Sequence, residues 1–194
     1  MKNIFIAFFI SCFTLALTAQ SERSIRQDEW LLSVGVNTVN SLGSKNPFED
    51  PGDWAYKFPL SASIEGKWFD LFSIEINASL NGIKAGGRVD NGAPEDDITY
   101  FAVDTHLKYY FGEYIFPEAD WIDFYGTGGL GLFFLDDTNI SLNAGGGVQF
   151  WLNRSQSFGI KAQGVAKFAL DHSNKGTVYQ NNHFQYSMML VFRI

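Results

Sequence analysis

The sequence predicts an all-β chain, an eight-stranded antiparallel up-and-down transmembrane β-barrel, on three observations. Apolar and polar residues alternate with period two in eight segments of about 9 to 13 residues. The polar phase of these segments carries full charges of both signs. The connections between them alternate between long and short. Successive side chains of a strand point to opposite faces, so each segment has one apolar and one polar face. A tilted strand needs about 9–11 residues to cross a bilayer, whereas strands in soluble proteins usually have about five or six. A soluble barrel would bury the apolar face and show the charges to water. Here the pattern suits the reverse, apolar residues against lipid and opposite charges paired across a narrow lumen. Closing the ring then satisfies every strand's backbone groups. A soluble, lipocalin-like ligand-binding barrel is the competing architecture.

The first element is not a strand. Lys2 precedes an apolar run from Ile4 to Leu17, followed by the small residues Thr18 and Ala19. A charged start, a short apolar centre and a small-residue exit make residues 1–19 a secretory signal peptide, with cleavage after Ala19. The run is shorter than the roughly 20 residues of a spanning helix. Cys12 is the single cysteine and lies inside this leader, so residues 20–194 carry no disulfide or thiol chemistry.

The strands follow in order. Trp30, Leu32, Val34 and Val36 alternate with Ser33, Gly35 and Asn37; Leu60, Ala62, Ile64 and Trp68 alternate with Ser61, Ser63, Glu65 and Lys67. Phe72 to Leu80 sets Ile74, Ile76 and Ala78 against Ser73, Glu75, Asn77 and Ser79. Phe101, Val103, Thr105, Leu107, Tyr109 and Phe111 oppose Tyr100, Asp104, His106, Lys108 and Tyr110. The second half is richer in glycine: Ile122 to Phe134, Ile140 to Leu152, Phe158 to Leu170 and Phe184 to Ile194. Lys161, Lys167 and Arg193 fall on its polar phase.

Long connections are expected at Asn40 to Pro59, Gly82 to Ile98 and Asp171 to Asn182, with a short one at Asp136-Asp137 on the same side. The opposite side has turns near Asp70, from Gly112 to Asp120 and at Asn153-Arg154-Ser155. Long outer loops and shorter inner turns are the habit of outer-membrane barrels. Trp30, Trp68, Tyr100, Trp121, Phe150, Trp151 and Phe184 lie near strand ends, where interfacial aromatic girdles are expected.

Composition narrows the function. The chain has 194 residues, 14 Lys+Arg against 21 Asp+Glu, and a formal net charge of -7. That length suits one domain, residues 20–194. A phosphate-neutralising nucleic-acid binder needs the opposite sign, so no nucleic-acid partner is expected. With 16% aromatic and only 18% charged residues the chain is not of disordered type.

The stretches Tyr100 to Phe111, Asp123 to Gly131, Leu142 to Trp151 and His183 to Ile194 resemble the OmpA-type eight-stranded outer-membrane barrels, over most of the chain after the leader. The resemblance implies an outer-membrane location in a Gram-negative-type envelope and contact with outer-membrane lipids. It also implies recognition of the last strand by the outer-membrane assembly machinery. In the family that strand ends on an aromatic residue; here Ile194 holds the place, with Phe192 two residues before it. The chain stops at the last strand, so cell-wall anchoring by a peptidoglycan-binding domain is not carried over.

Eight strands enclose an interior just wide enough for side chains to fill. Glu65, Glu75 and Asp104 are therefore expected to compensate Lys67, Lys108, Lys161, Lys167 and Arg193 in a locked structural network with His106 as a member. That reading gives a plugged lumen, a monomer without cofactor or metal, and a structural or adhesin- or receptor-like surface role with any extracellular ligand at the loops. A narrow porin is one alternative. A lipid-modifying enzyme is another, since Asp171-His172-Ser173-Asn174 resembles the His-x-Ser-Asn element of lipid A deacylases. Here, however, His172 and Ser173 are adjacent, and neighbours on a strand point apart, so the chain is expected not to be an enzyme. The acidic run Glu95-Asp96-Asp97 is expected to be a solvated loop. The glycine runs lack the following helix and Lys-Ser/Thr pair of a phosphate cradle.

Overall fold

A computed structural model describes residues 29–41, 46–69, 71–87, 89, 93–135, 137–170 and 182–194. The leader, His172, Ser173, Asp70, Asp90 and Asp136 lie outside the described residues. The strands are β1 (Glu29–Asn40), β2 (Leu60–Phe69), β3 (Phe72–Ile83), β4 (Ile98–Tyr110), β5 (Ile122–Leu135), β6 (Asp137–Trp151), β7 (Phe158–Ala169) and β8 (His183–Arg193). They form a closed barrel in sequence order. Every neighbouring pair is antiparallel, and β1 meets β8 from Leu31↔Arg193 to Asn40↔Phe184.

Period-two alternation decides which side chains face in. Along β4, Tyr100, Ala102, Asp104, His106, Lys108 and Tyr110 are all buried while their neighbours are exposed. The outer wall is apolar: Val36, Ile76, Leu107, Leu132, Ile140 and Met188 are about half exposed, between 49% and 60%. The register forces one unfavourable juxtaposition, because Glu65 on β2 lies directly opposite Glu75 on β3. Like charges at opposed positions repel, so the lumen has to supply cations at that level.

Apolar groups cluster at both ends of the polar interior. Val39, Ala55, Ile83, Phe133, Leu135 and Ala169 cluster at the end with the long loops, and Leu31, Trp151 and Val191 at the end with the turns. Tyr100 and Trp151 therefore point inward, which corrects their expected place in the girdles. Both sit on the inner phase of their strands, and burial among the end clusters outweighs their nearness to a strand end. The turn after β4 also differs from a plain loop, forming a short helical turn, Gly112–Ile115.

Two glycine positions show what the lumen demands. A Cβ at Gly147, on the inner face of β6, would strike the Tyr125 ring and the Ala162 carbonyl. A Cβ at Gly126, on the outer face, would meet nothing within 4 Å. Gly147→Val is expected to lower the unfolding free energy by about 1–3 kcal/mol through overpacking. Gly126→Ala should stay within about 0.5 kcal/mol of the parent protein. Urea titration of both variants in lipid vesicles checks the contrast.

Candidate functional site: the ionic lumen

The lumen holds two ion-pair groups. In the first, Lys108 Nζ donates to Glu65 Oε2 at 2.7 Å and lies 2.9 Å from Glu75 Oε2. Lys161 Nζ pairs with Glu75, lies 3.8 Å from Glu65 Oε2 and donates to Ser63 Oγ at 3.3 Å. Glu65 also accepts from Ser73 Oγ at 2.6 Å and from the Tyr110 hydroxyl. All four charged residues are 0% exposed. The repulsion forced by the Glu65–Glu75 register is thus relieved from two directions. Lys108 comes from the adjacent strand β4; Lys161 comes from β7, four places round the ring from β3.

The second group lies nearer the long loops. Lys167 Nζ donates to Asp104 Oδ2 at 2.7 Å and to the Tyr100 hydroxyl at 3.0 Å. Asn143 Nδ2 donates to the other Asp104 oxygen at 2.9 Å. The Tyr100 hydroxyl lies 2.9 Å from His183 Nε2. Lys161 and Lys167 share the inner phase of β7, and both reach across the barrel to acids on β3 and β4. Buried charges of this kind persist only when paired and hydrogen-bonded.

His106 joins the two groups. Its Nε2 is 3.3 Å from Asn143 Nδ2, and its Nδ1 is 3.8 Å from Glu75 Oε2. A water-sized cavity lies beside it, lined by Asn77, Asp104, His106, Gln163, Lys167 and Ser187 among others. The ring faces other side chains of the lumen.

Among the described residues Lys67 and Arg193 make no direct ion pair with the central carboxylates and lie toward the turn end, Lys67 touching the first group through Tyr110, whose hydroxyl donates to Glu65. Lys67 Nζ sits 4.3 Å from the centroid of Tyr110, and the Arg193 guanidinium 4.8 Å from that of Trp151. Arg193 also lies 3.7 Å from Glu29. Lys67 is the inner residue next to Glu65 on β2, and Arg193 closes the inner phase of β8. The central charges then balance on their own, Glu65, Glu75 and Asp104 against Lys108, Lys161 and Lys167. Sequence reasoning missed the neutral members, Tyr100, Tyr110, Tyr125 and His183. Their signal was present, since each sits on the same phase as a charged residue.

At the loop end, the Lys57 ammonium pairs with Asp97 and joins the β1–β2 and β3–β4 connections. That hydrogen bond, with one from the Ala85 N–H at 2.8 Å, holds the Asp97 carboxyl below the ordinary aspartate range. A depressed carboxyl contributes fully above its unfolded value and loses the contribution as the pH falls through the folded one. The loop contact is therefore expected to weaken on acidification below the usual aspartate range, read as a lower hydrogen-exchange protection factor at the Ala85 amide, and to lose that pH dependence in Asp97→Asn.

No protein-family model matches the sequence, and no curated protein matches it. Solved structures do. The N-terminal β-barrel domain of Pseudomonas aeruginosa OprF aligns over 87% of this chain and 100% of its own, with TM-score 0.53 and 12% identity. Yersinia pestis Ail in a phospholipid bilayer nanodisc covers the same shares, with TM-score 0.50 and 14% identity. The fold is that of the OmpA-type eight-stranded outer-membrane barrels. Neisserial surface protein A is also similar, with TM-score 0.49 and 14% identity over 86% of this chain and 95% of its own. At such identities an OmpA-type barrel is shared as a backbone, while the ionic lumen is read from this chain's own residues.

Proposed function

We propose that the chain is a monomeric outer-membrane barrel with a structural or surface-interaction role, its lumen closed by the two ion-pair groups and its long-loop end offered to extracellular partners. The observation that carries this reading is the inverted polarity of the wall. Half-exposed Val36, Ile76, Leu107 and Met188 belong to an apolar surface that runs round the barrel, while Glu65, Glu75, Lys108 and Lys161 are fully buried. Soluble monomers rarely expose contiguous apolar patches larger than a few hundred Å², so lipid is the natural solvent for this wall. Recognition of β8 by the outer-membrane assembly machinery belongs to the same reading.

Closure of the lumen is supported by packing. The central charges pair with one another, aromatic and aliphatic side chains cluster at both ends, and the cavity beside His106 is water-sized. A non-enzymatic role fits the lumen chemistry, in which His106 Nε2 lies 3.3 Å from Asn143 and the ring sits among paired charges. In expressing cells the protein should co-fractionate with outer membranes, and once purified it should show heat-modifiable gel mobility and give no stable ohmic channels in planar bilayers. Large steady channels would overturn the closed lumen. Loss of an acyl chain from lipid A in expressing cells, abolished by His172→Ala, would replace this reading with the enzymatic one.

A further inference from the structure

The β1–β2 connection does not simply stand above the barrel. After β1 it passes Pro47 and a single 3-10 turn at Pro51–Asp53, then returns so that Ala55 forms a bridge with Val39. On the way it meets the outer wall at Tyr186 of β8. The Trp54 ring stacks on Tyr186 with centroids 5.0 Å apart and planes at 15°, and Phe48 stacks at 5.9 Å and 23°. Tyr186 itself covers Gly164 of β7, where an added Cβ would lie 3.1 Å from its ring. Aromatic cover of a strand glycine pins the ring against the wall.

The polar handles of these rings are satisfied inside the hook. The Tyr186 hydroxyl donates to the Pro47 carbonyl at 2.6 Å, Trp54 Nε1 to Glu49 O at 2.7 Å, and the Tyr56 hydroxyl to Pro51 O at 3.1 Å. What remains outside is ring surface. Phe48 is 70% exposed, Tyr56 52% and Phe58 46%, and Leu60 carries the apolar surface on to the wall of β2. Amphipathic rings whose hydrogen bonds are met and whose faces continue a lipid-facing wall suit the boundary between headgroups and acyl chains.

We infer that the β1–β2 connection is a membrane-interface anchor: Phe48 and Trp54, stacked on Tyr186, seat in the headgroup-to-acyl boundary of the lipid on the long-loop side, so that this loop binds lipid. This rests on the membrane reading of the barrel wall. It assigns the loop a partner distinct from any ligand of the other loops, and it fixes the depth at which the barrel floats. Glu49, Asp50 and Asp53 on the same loop would face the headgroup layer and water.

Single-tryptophan forms of the whole protein, refolded into phosphatidylcholine vesicles, test the inference. One form keeps Trp54 with Trp30, Trp68, Trp121 and Trp151 replaced by Phe; a second keeps only Trp68, on the outer wall of β2. Lipid brominated close to the glycerol should quench Trp54 more than lipid brominated near the chain end, and Tyr186→Ala should diminish that quenching and red-shift the emission. If Trp68 is quenched by bromolipid while Trp54 is not, the barrel is inserted and the anchor is wrong, the aromatic face then being free for a soluble partner or a second copy. If neither is quenched, the membrane reading falls and the anchor with it.

Discussion

Lys108→Met is expected to lower the unfolding free energy by about 3–5 kcal/mol, the cost of breaking a buried ion pair by removing one partner. The size follows from the register. Glu65 and Glu75 are opposed across β2 and β3, both fully buried, and Lys108 lies within 2.9 Å of each. Without it, Lys161 is the one ammonium among the described residues left within 4 Å of either carboxylate. Removing one of those carboxylates as well should therefore help. In Lys108→Met/Glu75→Gln the remaining charges are Glu65 and Lys161, 3.8 Å apart and mutually neutralising. The double variant should recover about 0.5–3 kcal/mol relative to the sum of the single losses, the range of coupling seen between residues in one network. Urea unfolding in lipid vesicles, followed by tryptophan fluorescence, measures all three. Simple additivity would mean that the four charges are neighbours without being partners.

The second large effect concerns the outer wall. Ile76 sits midway along β3 between Phe72 and Leu80, on the outward phase. Ile76→Arg should cost about 2–4 kcal/mol in a bilayer, because it places a cation at the midplane. Trp68→Arg, at the strand end, should cost only about 0–1 kcal/mol, since depth sets the penalty on a lipid-facing wall. A water-exposed surface would accept both changes within about 0.5 kcal/mol. Equal, small losses at the two positions would therefore contradict lipid contact, whatever the fold.

Most of the barrel was legible in the chain because a strand's period is an integer. A residue at Glu65 or Lys161 is fixed to the inner face by parity alone, and parity survives an error of two residues in where a strand begins. Lateral position is different. That Glu65 lies opposite Glu75 depends on the register across β2 and β3, and that Lys161 reaches Glu75 depends on how the ring closes. Neither is encoded in the alternation of one segment. Alternation likewise carries no depth, so it does not show that Lys67 and Arg193 lie toward the turn end against Tyr110 and Trp151 rather than in direct ion pairs with the central acids. Tyr100 and Trp151 show the converse. Nearness to a strand end suggested a girdle, but the parity of their own strands had already turned them inward.

The partners in the ionic lumen are far apart along the chain: Lys108 and Glu65 by 43 residues, Lys167 and Asp104 by 63, Lys161 and Glu75 by 86. The β3–β4 hairpin can pair Glu75 with Lys108, but Asp104 and the second carboxylate of the Glu65–Glu75 pair wait for the lysines of β7. Such contacts are slow to form, and those made by β7 have to await nearly the whole chain. The lysines of the seventh strand then act as a latch that engages late, and a partly assembled barrel would carry bare carboxylates toward the acyl chains. That intermediate is a poor guest in a bilayer, so insertion and locking are expected to occur as one cooperative event.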